Sequence, residues 1–257
     1  MLVELNLYGE GQVLQDCLPA VYLFPRLKEL TLELDETEGQ LDLAVLQPLS
    51  ALESLTCRNW EQIELSSSSS SALLPQLTCL RCLDIDNVSL PAAPPSLQHL
   101  VIYDAGSVHL TGEGLQLPQV STLALHNIQT AAVSWQALPQ LAILRATDCR
   151  ELATLDGLSA LGGLTSLTVG PIWDVVEAIL QAAPPSLREL AIEGAVDDWQ
   201  LQPPFHAMPH LTSLECCSLA VIPHLGCLAQ LQHLEFPYQK ATALTLEHIE
   251  WLCCLTS

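Results

Sequence analysis

Lysine is almost missing from this chain of 257 residues: only Lys28 and Lys240 occur, and with arginine the basic side chains number eight. Twenty-nine Asp and Glu oppose them, giving a formal net charge of −21. Phosphate backbones and anionic lipid would be repelled by such a balance, so nucleic acid and membrane surfaces are excluded from the expected partners. Basic proteins or peptides are the natural electrostatic partners, although the same acidity also keeps a leucine-rich chain in solution. Aromatic residues are scarce as well, at 5% of a chain that is 49% hydrophobic. The interior must therefore consist of thin layers of Leu, Ala, Val and Ile. No window reaches the roughly 18 uninterrupted apolar residues of a membrane span. The opening MLVELNLYGE has neither a basic start nor a signal cleavage site, and the expected location is cytoplasmic.

The sequence also lacks a nucleophile elbow of the GxSxG type and a phosphate loop of the GxxxxGK type, so nothing in it supports catalysis or a cofactor. Its ten cysteines are scattered and include the doublets Cys216–Cys217 and Cys253–Cys254, unlike the framework of a small secreted disulfide protein. Reduced thiols are expected.

What the chain has in quantity is one phrase, LxxLxL. Its fourth-position leucine falls at Leu5, Leu30, Leu55, Leu83, Leu100, Leu123, Leu144, Leu167, Leu190, Leu214 and Leu234. The intervals are 25, 25, 28, 17, 23, 21, 23, 23, 24 and 20. Each copy reads as a short strand with alternate leucines pointing inward, followed by a return segment. Many copies are introduced by proline, as at Pro25, Pro75, Pro95, Pro118, Pro139, Pro185 and Pro209, which fixes φ and stops the return segment before the strand. Trp173 to Ala183 carries apolar residues at helical spacing, whereas NVSLPAAPPS is too short and proline-rich for a helix. The run Ser66 to Ser71 reads as a solvated loop insertion. Polar capping units are not evident at either terminus, so the chain is expected to be part of a longer protein.

These eleven copies resemble the leucine-rich repeat superfamily over Met1 to Tyr238. The resemblance implies an α/β solenoid of about eleven repeats in a single domain over 1–257. A curved parallel sheet would form the concave face, with short helices and irregular segments on the convex face. The polar residue usual at the ninth position appears only as Cys149, while Asn59, Asn87 and Asn127 lie one place earlier, so the asparagine ladder is displaced. Such uneven spacing is similar to the intracellular repeats of plant immune receptors and F-box substrate receptors. The acidity and the cysteines also resemble ribonuclease inhibitor.

With the fourth and sixth positions inward, the third, fifth and seventh project from the sheet. Nine acids are expected there: Glu4, Glu29, Glu33, Asp84, Asp86, Glu189, Glu193, Glu215 and Glu235, against Arg58 and Arg145. Tyr8 and Tyr103 are candidate anchors, because aromatic residues supply much of the energy of interface hot spots, and His126 lies in the same column as both. The candidate partner-binding residues are thus Tyr8, Glu33, Arg58, Asp84, Asp86, Tyr103, His126, Arg145, Glu193, Glu215 and Glu235. Cys79 and Cys82 spell CxxC without a second pair at zinc-ribbon spacing, and no metal site is expected. Cys57 and Cys216 fall at sixth positions and should be small buried hydrophobes.

The function these readings define is a non-catalytic module that recognises a protein or peptide, of basic character, through an acidic concave surface. Two alternatives stand beside it: an inhibitor of a basic enzyme, and the sensor or substrate-receptor portion of a larger signalling or ubiquitin-ligase protein.

Overall fold

A computed structural model describes residues 2–237 except 38, 65–73, 91–93, 112–114, 153–156, 171–172, 195–204 and 218–224. The serine run 66–71 and Cys253–Cys254 lie outside the described residues. The strands are β1 (Glu4–Gly9), β2 (Glu29–Leu34), β3 (Gln40–Asp42), β4 (Ser54–Glu64), β5 (Cys79–Ser89), β6 (His99–Leu110) and β7 (Thr122–Val133), then β8 (Ile143–Thr147), β9 (Glu151–Leu152), β10 (Ser166–Gly170), β11 (Glu189–Ile192), β12 (Ser213–Cys216) and β13 (His233–Glu235). All pair in parallel in one open sheet, whose main path runs β1-β2-β4-β5-β6-β7-β8-β10-β11-β12-β13. Among the described residues two helices, α1 (Gly11–Val21) and α2 (Trp173–Ala182), lie between strands, with short 3-10 turns at Leu43–Leu46, Trp135–Ala137, Leu158–Ala160 and Phe205–Ala207.

Ten strands of the main path, all but β1, are launched by the same turn. The amide of Leu77 donates to the carbonyl of Leu74 at 3.0 Å, that of Leu97 to Pro94 at 3.1 Å and that of Leu141 to Leu138 at 3.1 Å. Pro75, Pro95 and Pro139 occupy the second place of these turns, where a φ fixed near −65° is what the geometry requires. The next two amides then clamp one carbonyl of the preceding coil: Thr78 and Cys79 both donate to Glu53, at 2.9 and 3.1 Å.

The pairing register corrects one element of the sequence frame. Leu55 stands opposite Leu80, not Leu83, and Leu80 stands opposite Leu100. The intervals there are therefore 25 and 20, and Cys82, not Ile85, follows Leu80 into the core at the sixth position, fully buried. Leu83 takes the seventh position beside Arg58 and Tyr103.

After the seventh position the chain turns a corner through a residue with positive φ: Asn59 at 60°, Asp84 at 56°, Asp104 at 54°, Asn127 at 51° and Asp148 at 55°. Asn and Asp adopt this conformation more readily than other residues with a side chain because their short polar groups can bond locally. The side chain of Asn59 donates to the carbonyl of Leu34 at 2.8 Å, and that of Asn127 to the carboxylate of Asp104 at 2.6 Å. The polar ladder is thus present at the eighth position, with Asp84 in the place that Asn87 was expected to fill.

Past the corner, β4 to β7 continue in register for a second run. Gln62, Asn87, Ser107 and Thr130 align there, and Ile63, Val88, Val108 and Ala131 are buried beneath. In these coils the return segment begins as strand, where short helices or irregular segments were expected. Gly106 belongs to this run because a Cβ there would sit 2.8 Å from the carbonyl oxygen of Asp86. Trp60 fills the inside of the corner, fully buried, with Nε1 donating to the carbonyl of Leu32 at 3.3 Å. α2 forms where helical spacing places it, and α1 buries Leu14, Leu18 and Val21 against the first coils. No helix among the described residues is long and apolar enough to cross a membrane.

Candidate binding surface

The face of the sheet opposite the leucine core carries the third, fifth and seventh positions of each strand. Its charges follow a sequence along the path. β1 and β2 carry Glu4, Glu29 and Glu33; β4, β5 and β8 carry Arg58, Arg81 and Arg145; β11, β12 and β13 carry Glu189, Glu193, Glu215 and Glu235. The expected nine acids are therefore seven, because Asp84 lies at the corner and Asp86 beyond it, on the second run. The expected two arginines are three, because Arg81 occupies the fifth position assigned to Asp84.

Five of the expected residues come together. Tyr103, His126, Arg145, Glu193 and Glu215 line a hollow of about 390 Å³, with Ala124, Thr168 and Ala191 in its floor. The depression follows from side-chain size. Between the rings of β6 and β7 and the carboxylates of β11 and β12, the fifth and seventh columns hold, apart from Arg145, only Ala124, Thr147, Thr168, Gly170 and Ala191. The Tyr103 and His126 rings, neighbours on adjacent strands, lie 5.2 Å apart at 53°. Tyr8 is 64% exposed at the far end, and Glu33 and Arg58 lie between it and the hollow. Glu235 stands on the last strand with His233 Nε2 3.4 Å away.

His126 Nδ1 shares a 2.6 Å hydrogen bond with the hydroxyl of Thr147 and lies 3.7 Å from a carboxylate oxygen of Asp148. A hydroxyl, an imidazole and a carboxylate are the parts of a catalytic triad, but there the hydroxyl and the acid take opposite ring nitrogens. Here both face Nδ1, so no proton can be relayed from one to the other. The arrangement fixes the ring instead.

The CxxC thiols do not converge on a site. Cys79 is at a third position and Cys82 at a sixth, so they point to opposite faces of β5 and cannot close on one ion. Burial pushes the Cys82 thiol up to about 12 and raises Cys57 well above its ordinary value, with repulsion from Cys82 adding to the shift of Cys57. Cys216 is buried at its sixth position. Among the described residues no three His, Cys, Asp or Glu side chains are grouped to hold a metal ion.

Stacked LxxLxL coils, a single parallel sheet and a polar residue at the corners of the coils from β4 to β8 define the leucine-rich repeat fold, and this protein has it. The structure is similar to that of TLR13 in its complex with ssRNA13, at 14% identity and a TM-score of 0.44, over 91% of this chain and 43% of that one. A leucine-rich repeat protein of Leptospira interrogans matches over 98% of this chain and 82% of its own, at 14% identity and a TM-score of 0.35. An internalin of Listeria monocytogenes matches over 99% and 78%, at 15% identity and a TM-score of 0.35. The chain thus spans less than half the length of the TLR13 chain. No family model and no curated protein matches the sequence.

Proposed function

We propose that the protein is a non-catalytic interaction module that recognises another protein or a peptide through the open face of its sheet. The observation that carries this reading is the state of the arginines. In a chain with 29 acids and eight bases, Arg58, Arg81 and Arg145 all stand on this face without an ion pair to any described residue. Arginine and tyrosine at the rim of a small-residue hollow are the side chains that most often anchor protein partners. The seven acids of the same face favour a partner with basic character. The net charge of −21 disfavours nucleic acid and anionic lipid. Both atoms near His126 facing one ring nitrogen, and Cys57 and Cys82 held protonated by burial, support a non-catalytic reading. Free cysteines suit a cytoplasmic setting.

Glu189, Glu193, Glu215 and Glu235, gathered at one end of the face, favour a second reading, an inhibitor that covers the active site of a basic enzyme. Loss of the captured enzyme's activity at stoichiometric binding separates inhibition from recruitment.

The test is capture from a native extract with three forms of the protein: unaltered, Tyr103→Ala/Arg145→Glu, and Gln129→Lys on the second run beyond the corner. The proposal expects the first and third to retain the same partner and the second to lose it. Equal capture by all three overturns it.

A further inference from the structure

The charges of the open face are sorted, and this sorting specifies more than an acidic surface does. Over the span from β4 to β10 the third, fifth and seventh positions hold three arginines and no acid, while from β11 to β13 they hold four acids and no arginine. At the strand starts just outside these columns, Lys28 is neutralised by Glu53 at 2.6 Å, and Arg188 precedes β11. Of the acids of the central coils, Asp84, Asp104 and Asp148 stand at the corner, where Asp104 is engaged by Asn127, and Asp86 lies beyond it on the second run.

The change of sign falls inside the hollow. Arg145 forms one wall on β8, and Glu193 and Glu215 form the other on β11 and β12. With strands about 4.8 Å apart, the two walls are separated by roughly 10 to 14 Å, the reach of three or four extended residues. Between them lie Thr168 on β10 and Ala191 on β11, too short to fill the gap.

Building on the reading of this face as the binding surface, we propose that its partner is an extended polypeptide segment lying across the strands, acidic over β4 to β8 and basic over β11 to β13. A carboxylate of that segment meets Arg145, an ammonium or guanidinium three or four residues on meets Glu193 and Glu215, and the junction sits in the hollow. Such matching of both signs discriminates against uniformly basic segments, which would meet Arg145 and Arg81 with like charge.

Three synthetic peptides of equal length test this by titration calorimetry at low salt. The first has three glutamates, a Gly-Ser-Gly spacer and three lysines; the second has the same composition with the charges alternating; the third carries lysine at every charged place. The block peptide is expected to bind about tenfold more tightly than the alternating one, and more tightly than the all-lysine one. Arg145→Glu, an exposed substitution whose folding is checked by circular dichroism, is expected to abolish that preference and to strengthen the all-lysine peptide; Glu193→Lys/Glu215→Lys is expected to weaken the block and the all-lysine peptides. Equal binding of the block and alternating peptides, tighter binding of the all-lysine peptide to the unaltered protein, or no binding of any peptide overturns the proposal. Retained sensitivity of partner capture to Tyr103→Ala/Arg145→Glu in any of those cases would keep the open face as the binding surface and remove only its polarity.

Discussion

Thr147 holds its hydroxyl 2.6 Å from Nδ1 of His126, its neighbour across the β7–β8 ladder, and is itself only 8% exposed. A nearly buried hydroxyl is tolerated on the open face because the imidazole satisfies it. The ring so fixed stacks at an angle on Tyr103, and the pair forms one side of the hollow. Replacing Thr147 by Val keeps the shape and removes the bond. The expected cost is about 1 kcal/mol of stability, measured by urea denaturation. Partner affinity is expected to fall too, because the freed ring must be ordered on binding.

The corner residues give a second prediction. Asn59 combines a φ of 60° with a side-chain hydrogen bond to Leu34. Asn59→Ala should lose both, at about 2 kcal/mol or more, whereas Asn59→Gly keeps the backbone conformation and should lose roughly half as much. Parallel urea titrations of the two variants check the order.

Gly106 is predicted to resist substitution for a different reason. A Cβ at this position would stand 2.8 Å from the backbone oxygen of Asp86, so Gly106→Ala must push β5 and β6 apart on the second run. A loss of about 1–3 kcal/mol is expected, the usual range for overpacking. Gly162, where a Cβ meets nothing within 4 Å, is the control and should tolerate Ala with little change.

The buried thiols predict an alkaline limit. Cys82 titrates near 12 in the folded protein and Cys149 near 11, against an ordinary 9.0. Unfolding above pH 9 therefore releases protons that the folded state retains, and the stability these thiols contribute, complete below pH 9, declines as pH rises through 11 to 12. Thermal melts from pH 8 to 11 should show this fall, and Cys82→Val should reduce it. In the same pH range an alkylating reagent should label exposed Cys17 and Cys227 while Cys57 and Cys82 react only on unfolding.

The repeat was legible in the sequence because burial demands leucine at two fixed places, and ten of the eleven fourth-position leucines stand where the phrase puts them. The exception is instructive. LTCLRCLDI offers both Leu80 and Leu83 as the fourth position, and Cys82 at the sixth made the correct frame look weaker than the one ending in Ile85. Proline spacing resolves the tie: Pro25, Pro95, Pro118, Pro139, Pro185 and Pro209 each precede the fourth-position leucine by five residues, and Pro75 precedes Leu80 by the same five. Arg81, Leu83 and the corner role of Asp84 follow from that one choice. The hollow was not legible, since it arises from small residues on strands that are neighbours in space but more than twenty positions apart in the chain. α1 was obscured by Pro19, although Leu14, Leu18 and Val21 carry helical spacing.

Site-specific photo-crosslinking tests the central claim most directly. A photoreactive amino acid replaces Tyr103 on the open face in one form of the protein and Gln129 beyond the corner in another, and each is irradiated in native extract. The account predicts a covalent adduct with one partner protein from position 103 and none from position 129. The same adduct from position 129, with none from 103, would contradict it.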